Sequence, residues 1–302
     1  MKFFSSITEM ICNTPMLRLK TFSGNNSDIF AKLEWYNAGG SVKDRLALFL
    51  IEYAESAGIL TKDKVILEAT SGNTGIGLAM IAAVKGYRID IVMPESVSIE
   101  RRKIIKAYGA NLILSPGEKG TGGAIEVKKE LLKLYPDRYI DLDQFSDPAN
   151  ILAHYHTTGK EILEQLEGKI DMVIVGIGTA GTGVGVSMRL KQFNSNIKIV
   201  GVMPKLGTRI QGMRHINEPN PTKLFRGEWF DEIVEISNEE LPATYQIARE
   251  LARKEGILVG ISSASIMYVA ISKSKSLPKN TNIVSVLPDN AYKYLSTNLF
   301  ED

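Results

Sequence analysis

The sequence is short of the residues on which several kinds of function depend. Its 302 residues include one cysteine, Cys12, and three histidines. A single cysteine excludes an internal disulfide, and a reducing cytoplasm is the simplest home for such a chain. Cys12 reads as a small buried residue rather than a nucleophile. Three histidines supply a metal site poorly. His154 and His156 stand two apart in a helical stretch and so point to different faces, and no metal site is expected. No apolar run approaches the ~18 residues of a membrane span. Glu9 interrupts the N-terminal stretch Met1-Lys2-Phe3-Phe4, so no signal peptide is expected. Excess charge is missing too. Lys and Arg number 36 against 34 Asp and Glu, a net +2 with no basic block, which leaves no footprint for nucleic acid or an anionic membrane.

What is present is an ordinary soluble composition, 44% hydrophobic and 23% charged. The length allows two cores or one large domain with a cleft. Short apolar runs predict strands at 29–33, 65–67, 89–93, 112–114, 172–175, 197–202, 233–236 and 283–287. Between them, helices are predicted at 46–53, 75–85, 100–108, 122–134, 151–166, 183–193, 239–255 and 263–275. Continuous Val, Ile and Leu runs suit parallel strands covered on both faces. The alternation argues for α/β architecture, mostly parallel sheets with helices on both faces. The helix at 75–85 is apolar nearly all round and should be buried. The glycine-rich stretch 116–123 reads as a loop. No linker of disordered composition separates two domains, so a second domain must be an excursion of the same chain.

Three stretches carry the chemistry. The first is Gly39-Gly40-Ser41-Val42-Lys43-Asp44-Arg45, between a strand and a helix. Its lysine has an ordinary reading, a solvated first-turn residue balanced by Asp44. It also has a chemical one, an amine in a cleft whose pKa desolvation lowers until it attacks a carbonyl. The second stretch is Thr70-Ser71-Gly72-Asn73-Thr74-Gly75, at the N-terminus of the apolar helix. Free N–H groups and the helix dipole favour anions there. Three hydroxyls and an amide exceed what one helix cap needs, so a carboxylate or phosphate fits. The third stretch runs Gly176-Ile177-Gly178-Thr179-Ala180-Gly181-Thr182-Gly183. Residues 176–181 satisfy G-x-G-x-x-G, but no acid follows from Gly181 to Asn217 to hold a ribose. A nicotinamide dinucleotide is therefore disfavoured. A single phosphate remains, with Thr179 and Thr182 donating to it. One lysine and two anion cradles match a cofactor with one aldehyde and one phosphate, pyridoxal phosphate, beside an amino-acid carboxylate.

The chain resembles the cysteine synthase (O-acetylserine sulfhydrylase) and cystathionine β-synthase family of fold-type II pyridoxal-phosphate enzymes. The three stretches above carry the likeness, together with Asn13 to Leu19, Glu100-Arg101-Arg102-Lys103, Glu255 to Ser263 and Tyr294-Leu295-Ser296-Thr297, in the family's order. The resemblance implies a tryptophan synthase β-like fold. A small mobile domain at about 37–144 would sit on a large domain built from 1–36 and 145–302, in a homodimer. By the same resemblance Lys43 forms the Schiff base with the cofactor and later acts as acid and base. Asn73 contacts the ring hydroxyl oxygen. Gly178, Thr179, Ala180, Gly181 and Thr182 hold the phosphate. Ser262 hydrogen-bonds the pyridine nitrogen; a neutral hydroxyl there weakens the ring as an electron sink and favours loss of a β-substituent. Thr70, Ser71, Asn73, Thr74 and Gln144 close on the substrate carboxylate.

The implied reaction is β-replacement through an aminoacrylate, forming L-cysteine from O-acetyl-L-serine or O-phospho-L-serine and sulfide. Arg214 resembles the B type, some of which accept phosphoserine; as an isolated residue it could equally be a surface ion pair. Cys12, Ala180, Ala264 and the run Asp289-Asn290-Ala291-Tyr292 depart from the family pattern without removing a reactive group. The chain's end at Asp302 leaves no room for a regulatory domain, which fits a simple synthase. The alternatives are cystathionine formation, cysteine lysis releasing sulfide, serine or threonine deamination, and a non-catalytic binding protein on the same fold.

Overall fold

The computed structural model describes residues 3–23 and 27–301; Met1 and Lys2 of the N-terminal stretch lie outside them. Two sheets organise the chain. The larger contains β1 (Met16–Arg18), β2 (Ser27–Leu33), β7 (Met172–Gly176), β8 (Lys198–Pro204), β9 (Glu232–Ile236) and β10 (Thr281–Leu287), in the order β1-β2-β10-β7-β8-β9. The smaller contains β3 (Val65–Ala69), β4 (Arg88–Pro94), β5 (Asn111–Ser115) and β6 (Tyr139–Asp141), in the order β5-β4-β3-β6. Strand β1 runs antiparallel to β2; the other pairings are parallel. Ile283 of β10 faces Ile29 on one side and Met172 on the other, so the centre of the large sheet is continuously apolar.

The helices are α1 (Lys43–Ser56), α2 (Asn73–Lys85), α3 (Ile99–Ala107), α4 (Gly120–Leu134), α5 (Ala149–Ala153), α6 (Gly159–Gln165), α7 (Gly181–Phe193), α8 (Leu241–Glu255) and α9 (Ile261–Ser274). They cover both faces of both sheets. Alternate residues of a strand point to opposite faces, and the cores follow that alternation. Ile29, Ala31 and Leu33 pack with Ala248, Leu251 and Ile266 of α8 and α9. Val173, Val175, Val284 and Val286 pack with Ile162, Val184 and Leu190 of α6 and α7. In the small sheet, Ile66, Ile89 and Ile91 meet Leu46, Leu50 and Leu78 of α1 and α2. Val65, Leu67 and Val92 meet Ala124 and Ile125 of α4. Helix α2 is buried along most of its length, as its apolar circumference requires.

Three expectations change. The stretch 116–123 is not a loop: a 3-10 turn at Gly117–Lys119 leads into α4 at Gly120. Packing of Gly123 and Ala124 in the interior outweighs the poor helix propensity of the glycines. The helix at 151–166 is interrupted by a π turn, His154–Thr158, a form that often marks functional positions. Strands β1 and β6, three residues each, were absent from the sequence reading.

The consequence for function is the meeting of strand ends. The carboxyl ends of β3, β7 and β10 open on one cleft of about 930 Å3, the place where open parallel sheets bind ligands.

Candidate active site

Lys43 is the first residue of α1. The chain leaves β2, makes a 3-10 turn at Glu34–Tyr36, and passes through Gly40 at φ 80, a conformation that glycine adopts without steric cost. A side chain on Gly39 would come within 2.7 Å of Asp44 Oδ1, because the Gly39 N–H donates to Asp44 Oδ2 at 2.7 Å. Val42 N–H donates to the Pro288 carbonyl at 2.9 Å, which ties the lysine loop to the end of β10.

Two residues on, Arg45 anchors the helix in a buried ionic cluster. Its Nε donates to Glu34 Oε2 at 2.7 Å and its Nη1 to Glu161 Oε1 at 2.5 Å. Lys32 Nζ donates to Glu161 Oε2 and to the Thr14 carbonyl, both at 2.6 Å. Burial alone would raise the Glu161 pKa, but Arg45 and Lys32 bring it down to about 2.

The Lys43 side chain lines the cleft. Its amine has no hydrogen bond or ion pair among the described residues. Burial lowers its pKa to about 8, against the pull of Asp289 and Glu34 in the other direction. At pH 7.5 such an amine is about one-quarter neutral, against about one in a thousand for an ordinary lysine. That makes it a nucleophile toward a carbonyl.

The first cradle stands at the N-terminus of α2. Gly72, at φ 142, turns the chain out of β3, and its N–H donates to Thr70 Oγ1 at 3.0 Å. Thr74 Oγ1 donates to Gln144 Oε1 at 2.7 Å, while Gln144 Nε2 donates to the Ala69 carbonyl at 3.1 Å. Gln144 therefore braces this loop and keeps one N–H. Ser71 lies on the cleft wall, and Asn73 lines the same cleft.

The second cradle stands at the N-terminus of α7. Gly178 and Gly181 leave no space for a Cβ, which would lie 2.7 Å from the Gly212 carbonyl and 2.0 Å from Asn150 Oδ1. Ala180 takes the left-handed conformation at φ 70. The Thr179 hydroxyl accepts from Asn150 Nδ2 at 2.9 Å, so its own proton is free to donate. The Thr182 hydroxyl is 3.1 Å from His154 Nε2. Burial drives the His154 pKa well below its ordinary value and keeps it neutral. Ser262, at the start of α9, lines the cleft and is 3% exposed.

Arg214 also lines the cleft, stacked near Phe145, but its guanidinium is already engaged. Nε donates to Glu218 Oε2 at 3.1 Å, Nη2 to the Pro219 carbonyl at 2.7 Å and Nη1 to the Asn220 carbonyl at 3.3 Å. Asn150, His154, Glu161, Asp289 and Lys293 join the site only through the fold; Asn150, six residues after Gln144, is the one whose position in the sequence hints at it.

These features coincide with what other proteins share. Residues 7–289 match the family described as pyridoxal-phosphate dependent enzyme. The chain belongs to that family. It is similar to a cysteine synthase of Staphylococcus aureus, 43% identical over 308 residues, covering 98% of this chain and 96% of that one. The structure of a hydrogen sulfide-producing enzyme from Fusobacterium nucleatum superposes with a TM-score of 0.91 at 39% identity, covering 97% of this chain and all of that one. That of O-acetylserine sulfhydrylase isoform 3 from Entamoeba histolytica gives 0.88 at 37% identity, covering 100% and 92%. The two-sheet architecture is that of the fold-type II pyridoxal-phosphate enzymes.

The cleft of this pyridoxal-phosphate enzyme fits the cofactor. It offers a desolvated amine without a partner and a helix N-terminus whose two glycines leave room for nothing larger than hydrogen. No cluster of His, Cys, Asp and Glu among the described residues could hold a metal ion, and no helix among them is long and apolar enough to cross a membrane.

Proposed function

We propose that this enzyme forms L-cysteine from O-acetyl-L-serine and sulfide by β-replacement, in the cytoplasm and as a homodimer. The observation that carries the reading is the half-buried Lys43, whose amine has no partner among the described residues and a pKa lowered by desolvation, in a cleft that also holds two helix N-termini. Similarity to cysteine synthases along nearly the whole chain supports the substrate pair.

When bound, pyridoxal phosphate supplies the electron sink that lets an amino acid lose its Cα proton and its β-substituent. The chain's residues do the rest. Lys43 Nζ would hold the cofactor through its aldehyde and would carry the substrate Cα proton. Amides 178–182 and the hydroxyls of Thr179 and Thr182 would hold the phosphate. Ser262 would hydrogen-bond the ring nitrogen, and Asn73 would donate to the ring oxygen. Thr70, Ser71, Asn73 and Thr74 orient the substrate carboxylate, with Gln144 behind them. Residues 37–144 act as a small mobile domain on a large one of 1–36 and 145–302. Their closure excludes the water that would otherwise consume the reactive product of elimination.

The acetyl ester is the donor we propose over the phosphate ester, because Glu218 already neutralises Arg214. A phosphate leaving group would have to displace that carboxylate. A second reading, sulfide release from cysteine, draws on the similarity to the Fusobacterium enzyme. The test is a panel of donors and nucleophiles read by product mass. Cysteine from O-acetylserine and sulfide, lost in Lys43→Ala with the visible band of the lysine-linked cofactor, supports the proposal. Fast sulfide release from cysteine with poor synthesis would replace it with the second reading.

A further inference from the structure

Another buried lysine stands beside the same site, in the turn that follows β10 of the large sheet. Lys293 follows β10 in the 3-10 turn Ala291–Lys293 and is 6% exposed. Its amine donates to the Gly40 carbonyl at 2.8 Å, the Gly39 carbonyl at 3.3 Å and Asn73 Oδ1 at 3.1 Å. Three donors meet three acceptors, so the ammonium is fully used. On the other side of the Asn73 amide, Nδ2 donates to Asp289 Oδ2 at 2.7 Å, and that oxygen also accepts from the Tyr294 hydroxyl at 2.7 Å.

An asparagine amide can stand in either of two orientations unless its neighbours choose. Here they choose from both sides. An ammonium only donates, so it must face Oδ1; a carboxylate only accepts, so it must face Nδ2. Reversing the amide would set its NH2 against a cation and its oxygen against an anion. The surviving orientation commits one N–H of Asn73 to Asp289 and leaves the other for the cleft. The same ammonium grips the two carbonyls that lie four and three residues ahead of Lys43. Ser98, just before α3, adds a hydrogen bond from its hydroxyl to the Lys293 carbonyl at 2.8 Å.

We propose that Lys293 is the positioning residue that fixes the Asn73 amide and the Gly39-Gly40 loop delivering Lys43. It acts through them and touches no reacting atom. This deepens the reading of Lys43 and Asn73 given above and rests on it. Lys293→Met keeps the length and removes every donor. It frees the amide to turn, leaves three oxygens without their partner and leaves Asp289 without its nearby cation.

The experiment uses the cofactor-loaded enzyme and its cofactor-stripped form. Lys293→Met and Lys293→Gln are made alone and with Asn73→Ala. Cofactor affinity is read by fluorescence titration, the visible spectrum across pH, and kcat and KM with O-acetylserine. Lys293→Met should shift the visible band and its pH dependence and lower kcat about tenfold, as loss of a hydrogen bond from a charged group implies. In the Asn73→Ala background the same change should cost clearly less than tenfold, because the share acting through Asn73 is already gone and only the share through the Gly39-Gly40 loop remains. An unshifted band in Lys293→Met, or full additivity with Asn73→Ala, overturns the proposal. If Lys293→Met does not fold, Lys293→Gln is judged by the same two criteria. A wild-type protein without a visible band after reconstitution would instead sink the reading of Lys43 itself.

Discussion

Replacing Glu161 by glutamine tests whether the ionic cluster under the lysine helix stabilises the fold in the way its geometry implies. Glu161 accepts from Arg45, from Lys32 and from the Asn13 N–H at 2.9 Å. Its pKa falls from 4.5 to about 2. At 1.36 kcal/mol per unit, that shift of about 2.5 units contributes about 3 kcal/mol of stability. Breaking a buried ion pair from one side costs a similar ~3–5 kcal/mol. Because the folded-state value is depressed, the contribution is complete well above the unfolded value of 4.5 and declines as pH falls toward about 2. Linkage puts it at about half its full size near pH 3.

Glu161→Gln should therefore cost about 3 kcal/mol at pH 7 in urea unfolding, and its difference from the wild type should roughly halve by pH 3. The loss should be softened only as far as Lys32, whose pKa burial already lowers, can shed its proton. A cost below about 1 kcal/mol at pH 7, the level of an exposed pair, would refute the reasoning. So would a difference that stays the same between pH 7 and pH 3.

Labelling of the cofactor-stripped enzyme with an amine acylating reagent should rise at Lys43 with a midpoint near pH 8; a midpoint above about 10, the range of exposed lysines, would contradict its burial. Gly181→Ala should abolish cofactor binding, since its methyl group would lie 2.0 Å from Asn150 Oδ1; normal binding by fluorescence titration counts against the second cradle. Ala180→Gly relieves a left-handed alanine at φ 70 and should raise stability by up to about 1 kcal/mol in the same urea assay, a loss being the contrary result. Glu218→Gln removes the carboxylate that holds Arg214 and should raise kcat/KM for O-phosphoserine relative to O-acetylserine by about tenfold; an unchanged ratio would exclude Arg214 from donor choice.

The strands of both sheets were legible because buried parallel strands are written as unbroken Val, Ile and Leu runs, such as Val65 to Leu67 and Met172 to Val175. Strands β1 and β6 were not, because three residues carry too little pattern. The π turn at His154–Thr158 left no mark, since one extra residue in a helix changes no propensity. Lys43 and the two glycine loops were legible because a helix N-terminus advertises itself by Gly, Ser, Thr and Asn. Lys293 and Glu161 were silent: their partners lie 220 and 116 or more residues away.

Burial alone does not single out the reactive amine. Lys32, Lys128 and Lys293 are each as deeply enclosed as any lysine in the chain. Lys32 spends its charge on Glu161 and the Thr14 carbonyl. Lys128 lies between Glu68 and Asp141, which raise its pKa above the ordinary value although burial opposes them. Lys293 is saturated by three oxygens. Each has oxygen partners that oppose its desolvation, fully at Lys128 and only in part at Lys32 and Lys293, whose pKa values burial still lowers. Lys43 is desolvated without a contact partner, and its lone pair becomes available near neutral pH. The two carboxylates that act on it, Asp289 and Glu34, are each tied elsewhere, to Asn73 and Tyr294 in one case and to Arg45 in the other. Both carboxylates still pull the Lys43 pKa upward, but neither makes a hydrogen bond to its amine, and burial outweighs them.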